Sequence, residues 1–96
     1  MKQVISTNQA PGAIGPYSQA IKANGFVFVS GQLPVVPATG QFAEGGVAGQ
    51  TRQSLANVKA ILAEAGCALA DVVKTTVFIK DMNDFGAVNT AYAEYF

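Results

Sequence analysis

The chain has 96 residues, half of them hydrophobic and only 12% charged, which is room for one core and excludes a disordered chain. Six basic and six acidic side chains cancel, and the cations (Lys2, Lys22, Arg52, Lys59, Lys74, Lys80) are scattered, unlike the basic footprint of a nucleic-acid binder. With no histidine and a single cysteine, a Zn or haem site is not expected.

In chain order, Lys2 to Ser6 is a short strand carrying Val4 and Ile5, expected at a sheet edge. The polar start MKQVISTNQ has no apolar signal core, and no run anywhere has membrane length, so the expectation is a soluble, cytoplasmic protein without a membrane partner. Asn8 to Pro16 (NQAPGAIGP) holds two prolines and two glycines and reads as a loop. Gly12-Ala13-Ile14-Gly15 matches no phosphate-loop pattern and reads as a structured connector. Pro16 restricts its own φ and biases Gly15, which delivers Tyr17 at a fixed angle.

From Tyr17 to Gln32 (YSQAIKANGFVFVSGQ) two strand-forming runs flank Asn24-Gly25, the preferred pair for a two-residue type I′ turn. That turn predicts a register in which Ala23 faces Phe26, Ile21 faces Phe28 and Gln19 faces Ser30. Ser18 then faces Gly31, and Tyr17 faces Gln32. A phenol, a hydroxyl and a residue without a side chain gather at the open end of the hairpin, and the functional surface is placed there. Phe26-Val27-Phe28-Val29 is apolar on both faces, which predicts a central strand covered from both sides. The helices available cover one face only, so a partner subunit is expected on the other.

Leu33 to Gly46 (LPVVPATGQFAEGG) is a long loop, expected to be functional or interfacial. From about Val47 the period becomes helical: Val47, Leu55, Val58, Leu62 and Ala65 form a stripe with Ile61 beside it, while Gln53, Asn57 and Glu64 point elsewhere. Gly66 stops this helix. Cys67 opens a linker to Asp71; it is read as a small buried residue, since one thiol makes no internal disulfide and no histidine activates it. Val72 to Lys80 (VVKTTVFIK) is rich in β-branched residues and predicts a strand. Asp81 or Asn83 caps a second helix whose apolar stripe is Phe85, Val88, Tyr92 and Tyr95 or Phe96. Asn89 sits at the margin of that stripe, and its spacing alone suits a solvated or locally bonded amide. The carboxylates (Glu44, Glu64, Asp71, Asp81, Asp84, Glu94) occupy surface, cap and turn positions without forming an acid/base pair. The order strand, hairpin, helix, strand, helix makes an α+β domain over residues 1–96. Its end on bulky Tyr95-Phe96 reads as incomplete for the fold.

Taken together, APGAIGPYSQA, FVSGQLP, PATG, QTRQSLANVKAILAEAG, VVKTTVFIKDMNDF and VNTAYAEYF closely resemble the Rid (YjgF) family, most of all its RidA-type imine/enamine deaminases. The resemblance spans essentially the whole chain. It implies a chorismate-mutase-like fold of the bacterial type, a mixed β-sheet with two helices packed on one face, with the last two strands missing from this chain. It further implies a homotrimer with three inter-subunit clefts. There, 2-imino acids such as 2-iminobutanoate and 2-iminopropanoate, or their enamines, are hydrolysed to 2-keto acids and ammonia, with no cofactor or metal. The family's substrate-binding positions match Tyr17, Ser30, Gly31 and Asn89, with the Gly31 N–H helping to bind substrate and a neighbouring subunit completing the cleft. The family's carboxylate-clamping arginine and its water-positioning glutamate lie in a segment this chain does not contain, and Arg52 matches no pocket position. The 96-residue form is therefore expected to be a poor or inactive catalyst. A non-catalytic trimer that binds small carboxylates or partner proteins is the alternative, and a ribonuclease reading is opposed by the neutral charge.

Overall fold

The computed structural model describes all 96 residues. Strands β1 (Lys2–Ile5), β2 (Ala20–Ala23) and β3 (Phe26–Val29) form an antiparallel sheet in the order β1-β2-β3. Helix α1 (Gly46–Glu64) follows the long loop, and helix α2 (Phe85–Ala93) comes near the end. Short 3₁₀ turns cover Leu69–Asp71 and Met82–Asp84.

The hairpin is set by its turn. Asn24 has φ 51° and Gly25 φ 80°, the two positive values a type I′ turn demands. The observed pairs Ala23↔Phe26, Lys22↔Val27, Ile21↔Phe28 and Ala20↔Val29 follow the predicted register. The Ser30 N–H donates to the Gln19 carbonyl at 2.9 Å and carries the pairing one step further. β1 adds to the other side of β2 through Val4↔Ile21 and Ile5↔Ala20, and lies at an edge as expected.

Cross-strand neighbours share a face, so Ile5, Ala20 and Val29 form one inward row. With Ala10, Ile5 and Ala20 bury against Ile61 of α1 and Ala65 at its C-cap, and Val27, Val29, Ala60 and Cys67 surround them. Ile61 is wholly buried, and its truncation to alanine would cost about 2–5 kcal/mol. α1 ends in a Schellman motif. Gly66 (φ 81°) donates to the Ala63 carbonyl at 3.0 Å and Cys67 to the Leu62 carbonyl at 2.8 Å, which satisfies two otherwise free carbonyls. α2 packs principally on α1, and Val88 and Ala91 are its two buried residues. Asp81 caps the turn before it, its carboxylate accepting from the Asn83 N–H at 2.9 Å.

Three expectations need correction. β3 is an edge strand, not a central one: its far side has no ladder partner, and Phe26 and Phe28 of its outer face are 59% and 61% exposed. An apolar strand becomes central only when chain lies against both its edges and both its faces, and one protomer supplies only β2 and α1. Second, Val72–Lys80 joins no ladder, and Val73 and Phe78 stand in the open. β-branched residues favour an extended backbone, but pairing needs a neighbouring strand, and the sheet stops at β3. Third, Asn57 does not point away from the core but is fully buried, because the loop after the hairpin folds back over it.

Candidate functional site

The loop before β2 and the segment after β3 enclose a cleft of about 410 Å³. Tyr17 enters it from the first wall and Gly31 and Gln32 from the second, with Ile14 and Leu33 among the apolar contributors. No charged side chain lines it. Of the three groups expected at the open end of the hairpin, the phenol of Tyr17 and the bare backbone of Gly31 share this cleft.

Tyr17 is aimed by local geometry. Its N–H donates to the Gly15 carbonyl at 2.9 Å, an inverse γ-turn centred on Pro16, whose ring-locked φ suits that turn. The Ile14 N–H donates to the phenol oxygen at a long 3.4 Å, which leaves the phenol proton free for another acceptor. Half of the side chain is exposed.

Gly31 follows Ser30 in the hairpin register, at a position where antiparallel N–H groups point away from the partner strand. Its N–H meets no acceptor within the chain, and a Cβ built on it would meet no atom within 4 Å. The backbone at Gly31 thus carries an unpaired donor and no side chain.

Ser30 is adjacent but does not line the cleft. Its hydroxyl donates to the Ser18 carbonyl at 2.6 Å, clamping the two strand ends on which Tyr17 and Gly31 sit. Asn89 lies elsewhere. It is exposed on α2 and opens on a separate hollow of about 220 Å³ with Val77, Met82, Phe85 and Tyr92. One protomer therefore brings Tyr17 and Gly31 together, holds Ser30 behind them, and keeps Asn89 apart.

Sequence reasoning missed the residues that hold the cleft walls. Gln19 and Asn57 are the two buried polar side chains of the protein. The Gln19 amide donates to the carbonyls of Thr7 at 3.1 Å and Pro11 at 2.7 Å, and its oxygen accepts from the Thr7 N–H at 2.7 Å. The Asn57 amide donates to the carbonyls of Leu33 at 3.2 Å and Val35 at 2.9 Å, and its oxygen accepts from Gln53 at 2.9 Å. Gln19 sits where strand pairing ends and Asn57 beside an apolar stripe, so spacing alone gives either an exposed or a buried side chain.

Arg52 lies away from the cleft. Its Nε and Nη2 grip the Glu94 carboxylate at 3.0 and 2.9 Å and tie α1 to the end of α2. The hydrogen bonds from Arg52 hold the Glu94 carboxyl below its ordinary value, with the guanidinium raised in turn. Both side chains are about half exposed, so this is a surface pair of small energetic weight.

The family profile described as endoribonuclease L-PSP matches residues 7–96. The chain belongs to the Rid (YjgF) family. A RutC family protein of Pyrococcus horikoshii is 58% identical to this Rid chain over 96 residues, covering 100% of it and 76% of the relative. Human 2-iminobutanoate/2-iminopropanoate deaminase is 50% identical over 96 residues, covering 100% of the chain and 70% of the relative. Among solved structures, a putative endoribonuclease of Thermotoga maritima superposes with a TM-score of 0.96 at 48% identity, over 100% of this chain and 76% of that one. E. coli TdcF, solved with bound serine, gives 0.93 at 49% identity over 98% and 73%. The Rid fold, with its chorismate-mutase-like architecture, is thus the fold of this chain, whose own part of the sheet is antiparallel throughout. It spans about three quarters of the length of these relatives. No helix is long and apolar enough to cross a membrane.

Proposed function

We infer that this Rid protein hydrolyses reactive 2-imino acids and their enamines, 2-iminobutanoate and 2-iminopropanoate among them, to 2-keto acids and ammonia in the Tyr17–Gly31 cleft. The observation that carries the reading is that Gly31, whose N–H is unpaired, lines an uncharged cleft together with a phenol that has a proton to donate. The names of the human and mouse relatives, both 50% identical, support the same chemistry.

In this reaction, water adds to the electrophilic C2 of the imine to give a carbinolamine. The nitrogen takes up a proton and leaves as ammonia, and the hydroxyl loses its proton as the C=O bond forms. The Gly31 N–H orients the substrate, because a missing Cβ permits close approach and a backbone donor needs no reorganisation. The Tyr17 phenol donates a hydrogen bond into the cleft, Ser30 holds the strand ends beneath them, and no step calls for a cofactor. An uncharged lining leaves the substrate carboxylate to backbone donors and to groups from outside the protomer.

The same reading includes a homotrimer with clefts between subunits, in which Asn89 of a neighbouring copy completes the cleft. The outer face of the sheet supports it: Val4, Ile21, Phe26 and Phe28 lie together there, and the two phenylalanine rings are 6.2 Å apart. Burying such a face removes a large apolar area from water. The ribonuclease activity suggested by the name of the family profile fits less well, since an uncharged cleft without histidine offers a phosphate no counter-charge and no general base.

A trapping assay that follows loss of 2-iminobutanoate, with the human relative as reference, tests the reading. Acceleration over buffer that is weaker than the human relative's and disappears in Gly31→Val is expected. Binding of 2-ketobutyrate without turnover would replace the deaminase with a carboxylate-binding regulator, and neither binding nor turnover would remove the cleft from consideration.

A further inference from the structure

We propose that Gln19 and Asn57 are positioning residues, a pair of buried carboxamides that set the width of the Tyr17–Gly31 cleft by each clamping one of its walls. The inference rests on the reading of that cleft as the substrate site.

Both walls are loops. The first contains Pro11 and Ile14 and the second Leu33 and Val35; neither lies in a strand or helix, and a single bridge from Val35 to Phe42 is the only ladder contact of either. Loop carbonyls normally meet water; here several meet a buried amide. Gln19, 3% exposed, reaches the carbonyls of Thr7, Ala10 and Pro11 from the end of β2. Asn57, wholly buried, reaches those of Leu33 and Val35 from the middle of α1. Pro11, Leu33 and Val35 all line the cleft. Neither carboxamide belongs to the apolar cluster of Ile5, Ala10, Ala20, Ile61 and Ala65, and every buried side-chain polar atom has a partner.

A buried amide with all its hydrogen bonds made is a rigid tie, because releasing it leaves polar groups without partners. The two ties start from β2 and α1, the elements that carry the core, and end on opposite sides of the same opening. That arrangement holds Tyr17 and Gly31 at a fixed separation before any ligand arrives, which is the condition for orientation to help a reaction.

The test uses the purified chain and 2-ketobutyrate as the probe, titrated while amide shifts are followed by NMR. Gln19→Leu and Asn57→Leu remove each tie; Gln19→Glu and Asn57→Asp keep the shape and take away the amide donors. Dissociation constants raised about 10- to 100-fold, with the hairpin and α1 shifts unchanged and amide exchange quickened only at residues 7–14 or 33–36, support the inference. Where turnover is measurable, the same loss is expected in KM more than in kcat. Wild-type affinity in all four variants overturns it, and so does failure of all four to fold, which would make the amides part of the core. Gly31→Val separates the two readings. If it abolishes binding while the four variants bind normally, the cleft stands and the clamps fall. If it binds as the parent does, or if the parent binds nothing, both fall.

Discussion

Single residues carry sharply different constraints in this chain, and glycines show it best. Gly49 lies in the first turns of α1, where alanine would ordinarily gain about 1 kcal/mol. A Cβ there would run into the Glu44 carbonyl oxygen, so backbone must move. Gly49→Ala is expected to lose about 1–3 kcal/mol in urea denaturation, a reversal of sign relative to propensity. Asn24 sits at φ 51°, and Asn24→Ala is expected to cost about 1 kcal/mol while Asn24→Gly is close to neutral, compared by the same measurement. The Asn24-Gly25 pair was legible because turn chemistry is local. Gln19 and Asn57 were not, because what buries them arrives from 8 to 24 residues away. Ser30 was placed correctly in the register, yet its hydroxyl turns to Ser18 and supports the cleft from behind.

Elements follow the same division between local and distant causes. The end of α1 was readable from Gly66 alone, since a left-handed C′ position selects glycine; Gly66→Ala is expected to lower stability by about 1 kcal/mol and to speed amide exchange at Cys67. Val72–Lys80 was misread as a paired strand because alternation and β-branching report backbone preference and say nothing of a partner. The tie between α1 and α2 carries a pH dependence. Arg52 depresses the Glu94 carboxyl in the folded state, so the pair's contribution is present above the unfolded pKa and is lost as pH falls through the lower, folded value. The neutral and alkaline range is unaffected. NMR titration should find the Glu94 midpoint raised by Arg52→Ala, which removes the hydrogen bonds that hold the carboxyl down. A Glu94 midpoint unmoved by that substitution would break the assignment.

At the scale of the molecule, the unpaired edge of β3 and the exposed Phe26 and Phe28 dominate. In the proposed trimer this face is covered, and Phe28→Lys is expected to shift the sedimentation profile toward monomer while the far-UV spectrum is retained. A wild-type chain that sediments as a monomer at all concentrations would remove the trimer. The separation of Asn89 from Tyr17 and Gly31 belongs to the same scale, for the two hollows share no lining residue within the chain. By itself, the sequence determined the hairpin register, the span of α1 and the meeting of Tyr17 with Gly31, because steric limits on φ and hydrophobic period act over a few neighbouring residues. Tertiary structure alone decided that β3 is an edge, that residues 72–80 find no ladder, and that two amides brace the cleft. Strand pairing and burial of a polar group are satisfied by chain that is near in space and far in sequence, and no local pattern records which chain that will be.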